Sequence, residues 1–176
     1  MAATLLAACQ EVPEQQPEAA IPEAEPEYSC GRDGYLKTEL FGAISANINW
    51  QTAELNCEGM PRPEGRGARL RFAGREDGTG QDVAVIIALP DLQPGETGVE
   101  LTTNATIILE GSGRFFNTAA ADVCWTDVLR AEPLSGERFA ISGRLYCISP
   151  LVEVNGDASV SIPELQFSGL IDWNRR

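Results

Sequence analysis

Residues 43–50 alternate between apolar and polar positions: Ile44, Ala46, Ile48 and Trp50 fall on one face, and Ser45, Asn47 and Asn49 on the other. A period of two marks a half-buried strand, because successive side chains point to opposite sides of a sheet. Residues 67–74 repeat the pattern, with Leu70 and Phe72 set against Arg69 and Arg71, and 82–89 bring Val83, Val85, Ile87 and Leu89 together. The Gly-containing run Asp77-Gly78-Thr79-Gly80 links these two strands. It therefore predicts Phe72 opposite Val85, Leu70 opposite Ile87 and Arg75 opposite Asp82. Further strands are expected near 97–103, 105–111 and 113–118, and a last one over 164–173 lines up Leu165, Phe167, Gly169, Ile171 and Trp173. Asn155-Gly156 is the strongest two-residue hairpin signal in the chain. No stretch sustains a 3.6-residue period. Many short strands punctuated by Gly and Pro predict an all-β domain, an antiparallel β-sandwich or barrel. Trp50, Trp125 and Trp173 follow the apolar alternation of their strands and are expected in the core rather than stacked on sugars.

Residues 1–29 break with this pattern. They hold six glutamates, no Lys or Arg, and prolines at Pro13, Pro17, Pro22 and Pro26. Each proline removes a helical N–H and clashes with the preceding turn, while the carboxylates repel, so 10–29 reads as a disordered acidic tether. Twenty such residues reach roughly 60 Å when extended at about 3.1 Å each. Ahead of them, Leu6-Ala7-Ala8-Cys9 resembles the lipobox of bacterial lipoproteins: an aliphatic residue, two small residues, then the cysteine that is lipidated. The resemblance implies diacylglycerol on the Cys9 sulfur, removal of 1–8 as the remnant of a signal peptide, and anchoring in a lipid bilayer. With Gln10 after the cysteine, the family's sorting habit implies the outer membrane, facing the periplasm. The family pattern also includes a basic n-region and a longer apolar stretch, which points to a late start codon or a truncated leader. The division is thus 1–8, 9–29 and a single β-domain over 30–176.

The other four cysteines, Cys30, Cys57, Cys124 and Cys147, all lie in that domain. In an exported protein an even count reads as two disulfides, and no C-x₂-C unit or histidine supports zinc. Cys30–Cys57 with Cys124–Cys147 is the preferred pairing. The second bridge has a geometric argument. Segments 123–131 and 137–148 are strand-like, and a two-residue turn at Ser135-Gly136 makes Cys124 face Cys147, Trp125 face Tyr146 and Asp127 face Arg144. Counted from so tight a turn, the cysteines form a hydrogen-bonded pair, a register that a bulge would shift.

Charge narrows the functional classes. The chain carries 13 Lys and Arg against 26 Asp and Glu, a net charge of −13, and has no histidine. Nucleic acid is excluded as a partner, since polyphosphate affinity comes from Lys and Arg. The commonest general base and metal ligand is missing, so no cofactor, metal or catalytic residue is assigned. Arg62, Arg66, Arg69, Arg71 and Arg75 form one basic cluster, either a site for phosphate or carboxylate groups or the solvated face of a strand. Glu76, Asp77 and Asp82 lack the spacing of a calcium loop and read as an acidic hairpin tip. Gly111-Ser112-Gly113 reads as a tight turn rather than a phosphate loop. The expectation is a non-enzymatic envelope lipoprotein binding a macromolecular partner or supporting the envelope. The alternatives are a small-ligand or glycan-binding module, and, by analogy alone, a periplasmic inhibitor of a cationic hydrolase such as lysozyme.

Overall fold

The computed structural model describes residues 29–63, 66–118 and 122–175. Cys9 and all but the last residue of the 9–29 tether lie outside the described residues. Within them the chain is all-β and antiparallel. The strands are β1 (Tyr35–Gly42), β2 (Ala46–Gln51), β3 (Asn56–Pro61), β4 (Ala68–Arg75), β5 (Asp82–Leu89), β6 (Gly98–Thr102) and β7 (Asn104–Leu109). They continue with β8 (Arg114–Asn117), β9 (Cys124–Pro133), β10 (Arg138–Cys147), β11 (Leu151–Glu153), β12 (Ser159–Ser161) and β13 (Leu165–Asp172).

Their order is β3-β4-β5-β7-β8-β11-β12-β1-β13-β10-β9-β6, with β2 paired to β1. Strand β1 is the joint between two halves. Its first residues pair with β13, from Tyr35↔Ser168 to Thr38↔Leu165, and its last two, Phe41 and Gly42, pair with β12. The sheet doubles over there in a sandwich-like arrangement and buries one apolar cluster between its halves. Leu36, Leu40, Ile48, Trp50, Leu145, Phe167 and Ile171 come from one half; Leu70, Phe72, Val85, Ile87, Ile107 and Phe116 come from the other. Phe72 and Phe167 meet across the middle with ring centroids 5.8 Å apart.

The alternation read from the sequence is the alternation of burial. Ile44, Ala46, Ile48 and Trp50 are all buried, and Phe72↔Val85, Leu70↔Ile87 and Arg75↔Asp82 are neighbours as expected. Two strands, β1 and β3, are absent from the sequence reading. In β1 the inward positions are Leu36, Thr38 and Leu40, and the central threonine disguises the apolar face. It is accommodated because its hydroxyl donates to the Glu164 carbonyl at 2.8 Å. In β3 one of the inward positions is Gly59, which carries no apolar signal at all. The Asn155-Gly156 hairpin forms with Leu151↔Val160 and Val152↔Ser159, but its loop spans four residues, closed by Glu153 N–H donating to the Ala158 carbonyl.

Both disulfides form as paired above: Cys30–Cys57 with Cα atoms 4.9 Å apart, and Cys124–Cys147 at 4.1 Å. Trp125↔Tyr146 and Asp127↔Arg144 are likewise in register. The route to that register differs from the simple count. The turn holds three residues, Ser135 to Glu137, closed by Leu134 N–H donating to the Arg138 carbonyl at 2.8 Å, with Gly136 at φ 69°. That adds one residue to β10's side, and a β-bulge at Leu129 adds one to β9's side, restoring the pairing beyond Gly143↔Val128. The bulge also changes phase. Ile148 N–H donates to the Val123 carbonyl, so the adjacent Cys124–Cys147 position becomes a non-hydrogen-bonded pair, the closer kind.

Candidate functional site

At Tyr35↔Ser168 strand β1 stops following β13, and the chain ahead of it, Cys30 to Gly34, turns away towards β3. The Cys30–Cys57 bridge fixes its far end, and Ser29 Oγ accepts the Cys57 N–H at 3.0 Å. Thr52 holds its middle, with Oγ1 lying 3.1, 3.0 and 2.9 Å from the carbonyl oxygens of Gly31, Arg32 and Gly34. This strap forms one wall of a cleft of about 510 Å³ over the outward faces of β9, β10 and β13. A volume of that size is in the usual range for small-ligand sites.

The sheet registers set the cleft out in rows. One row runs Arg130, Ser142, Ser168; the next runs Glu132, Ala140, Leu170; the third begins Leu134, Arg138. Arg32 and Asp33 project from the strap. The floor is therefore apolar at Ala140, Leu170 and Leu134, and hydroxyl-bearing at Ser142 and Ser168. Glu132 accepts hydrogen bonds from the Arg130 guanidinium, and together with the nearby charge of Asp33 this pushes the arginine's pKa up, so Arg130 is a permanent cation. Three arginines and two carboxylates make the lining net positive in a domain that carries 13 Lys and Arg against 20 Asp and Glu over residues 30–176.

The arginine cluster of the sequence is divided between a strand and the loop before it. Arg69, Arg71 and Arg75 share the outward face of β4, whereas Arg62 and Arg66 sit in the connection ahead of it. Arg71 is paired with Glu110, and Ala73 and Ala84, two outward residues on β4 and β5, are nevertheless buried. Arg75 is paired with Asp82 at 3.1 Å, and Arg69 Nη2 lies 3.4 Å from the Met60 sulfur.

The acidic tip is a structural device. The Glu76 carboxylate accepts the N–H groups of Gly78 and Thr79 and the Thr79 hydroxyl, each at 2.7 Å, while Asp82 is taken by Arg75. Those donors, the Thr79 hydroxyl above all, hold the Glu76 pKa below the ordinary carboxylate value. No group of three or more metal-ligating side chains occurs among the described residues. Gly111 to Gly113 form the tight turn expected, with Ser112 Oγ donating to the Leu109 carbonyl at 2.8 Å.

Of the tryptophans, Trp50 is buried and donates its indole N–H to the Arg75 carbonyl at 2.8 Å, and Trp173 packs half-buried against the core. Trp125 departs from expectation. Its neighbours Cys124 and Thr126 take the inward positions, so it faces outward and stacks on Tyr146 with centroids 6.0 Å apart. Apart from Cys30 and Gly169, the residues that line the cleft carry no signal of their own in the sequence. Ser142 and Ser168 are ordinary polar positions on outward faces, and only the topology makes them neighbours.

No family model matches the chain, and neither the curated proteins nor the solved structures contain a significant match.

Proposed function

We propose that the protein is a cell-envelope lipoprotein, held to the membrane through Cys9, whose non-catalytic β-domain works by binding. The observation that carries the binding half is the cleft walled by the Cys30–Gly34 strap, with its apolar floor, paired hydroxyls and arginines. Such a lining resembles a ligand site more than a void left by imperfect packing, because it is mixed in polarity and open to solvent. Its volume suits a small molecule or the terminus of a larger one, such as a peptide or glycan end. The anchoring half rests on the Leu6-Ala7-Ala8-Cys9 sequence, and two disulfides accord with an oxidising compartment.

Docking of another envelope protein is the second reading. It is favoured by Phe41, Phe115, Val152 and Val154, large apolar side chains exposed on β1, β8, β11 and the turn after β11. The test of anchoring is metabolic labelling with an acyl-chain probe, the chain being expressed behind an intact leader. The wild type is expected to be labelled and to partition into detergent, and Cys9→Ala to be unlabelled and soluble. Equal labelling of the two rejects the lipoprotein.

A further inference from the structure

Resting on the reading of the cleft as a ligand site, we infer that its serine end is an oxyanion subsite. The ligand class is then an organic anion, a carboxylate or phosphate on a short apolar body. Three observations meet there. Cys147 N–H donates to the Ile162 carbonyl and Trp173 N–H to the Glu137 carbonyl, so the odd-numbered residues of β10 hydrogen-bond towards β13. Ser142↔Ser168 is consequently a non-hydrogen-bonded pair, whose side chains stand closest together in an antiparallel ladder. Neither hydroxyl has a hydrogen-bond partner among the described residues. Both are half-buried, and both line the cleft.

On the next strand, directly opposite Ser142, is Arg130. Its guanidinium has five N–H donors, and a single Glu132 oxygen engages the Nε and one Nη group. Donors are left over. Two hydroxyls in one row, with the Arg130 guanidinium held by Glu132 at its edge, form a donor array that an acceptor-rich anion such as a carboxylate or an ionised phosphate satisfies. Beyond the row lie Ala140 and Leu170, then Leu134, which offer hydrocarbon contact beside the charged side chains of Glu132 and Arg138. Head and body are thus separated along the cleft. Asp33 and Glu132, on its walls, repel charge outside the serine row and select a compact anionic head over an extended polyanion.

The test is calorimetric titration of the full chain with three probes that share a six-carbon tail: hexanoate, hexyl phosphate and hexyl glucoside. Hexanoate or hexyl phosphate is expected to bind at least tenfold more tightly than the glucoside, and the better of the two identifies the head group. The double variant Ser142→Ala/Ser168→Ala should reduce that preference about tenfold while leaving the melting temperature unchanged, since neither hydroxyl has a partner to lose. Ala140→Trp, which fills the apolar floor, should weaken all three probes. Equal binding of the glucoside, unaffected by the serine changes but abolished by Ala140→Trp, overturns the oxyanion subsite and leaves the cleft as the ligand site. Binding of no probe, or binding indifferent to all three substitutions, overturns both.

Discussion

The buried carboxylates Glu76 and Asp127 each serve backbone geometry. Asp127 accepts the Glu100 N–H at 2.9 Å through one oxygen and Arg144 at 2.9 Å through the other. The Glu100 N–H first, and Arg144 with it, lower its pKa. Glu100 is a non-glycine residue at φ 53°, in an irregular stretch of β6, and the carboxylate holds that conformation in place. Glu76 does the same for the β4–β5 turn through three hydrogen bonds. Glu76→Ala is expected to lower stability by about 2 kcal/mol at neutral pH, the scale of hydrogen bonds to a charged group. A carboxylate with a depressed folded-state pKa contributes fully above its unfolded value, ordinarily 4.5, and the contribution is lost as pH falls through the folded value. Chemical denaturation at pH 7 and pH 3 should therefore show the wild-type advantage shrinking at the lower pH. An undiminished gap at pH 3 would mean that the carboxylate charge is irrelevant. The sequence made the Asp127–Arg144 pair legible because cross-strand partners follow from register. The Glu100 contact was hidden, since it depends on a left-handed residue that only the finished sheet imposes.

At the scale of elements, the β9–β10 hairpin explains why a simple count reached the right register. Its three-residue turn and the Leu129 bulge each displace the pairing by one, in opposite senses. Strand partners follow from which faces must be apolar, and a slip of one residue would have turned Leu145 and Val128 out of the core. The two irregularities were invisible because neither moves an inward side chain in the outer half of the hairpin. The bulge has a consequence for the bridge: it sets Cys124 and Cys147 at the close kind of pair, with Cα atoms 4.1 Å apart. Joining residues 23 apart in sequence restricts the unfolded chain by about 3 kcal/mol. Cys124→Ala/Cys147→Ala is expected to lose stability of that order with an unchanged far-ultraviolet spectrum and with Cys30–Cys57 intact in a non-reducing peptide map. A loss of the Cys30–Cys57 bridge in that variant would show instead that the two halves do not form independently.

For the whole molecule, what the sequence withheld is closure. Alternation identifies strands one at a time, and composition assigns them to an all-β class, but the neighbours of β3 and β13 lie far apart in the chain. The sheet curls until β3 comes back against β13, and the contact is made at Gly59. A Cβ placed there would stand 1.8 Å from the Leu170 carbonyl oxygen and 3.0 Å from the Ile171 Cα. Neither of these is the movable end of a side chain, so the strand itself would have to retreat. The same approach places Leu170 in the floor of the cleft and brings Cys57 within reach of Cys30, so seam, strap and cleft depend on one missing methyl group. Gly59→Ala is accordingly expected to cost about 3 kcal/mol, the upper end for overpacking, and to loosen the cleft as well as the fold. Gly136→Ala is the comparison. No atom lies within 4 Å of its added Cβ, and its φ of 69° costs about 1–2 kcal/mol. Hydrogen exchange of the two variants distinguishes a local effect from a global one. Gly59→Ala should raise exchange at Cys57, Leu170 and the Cys30–Gly34 strap together, whereas Gly136→Ala should affect only the β9–β10 turn. Equal stability of Gly59→Ala and the wild type would show that β3 is not held against β13, and the wall of the cleft would then have no fixed position.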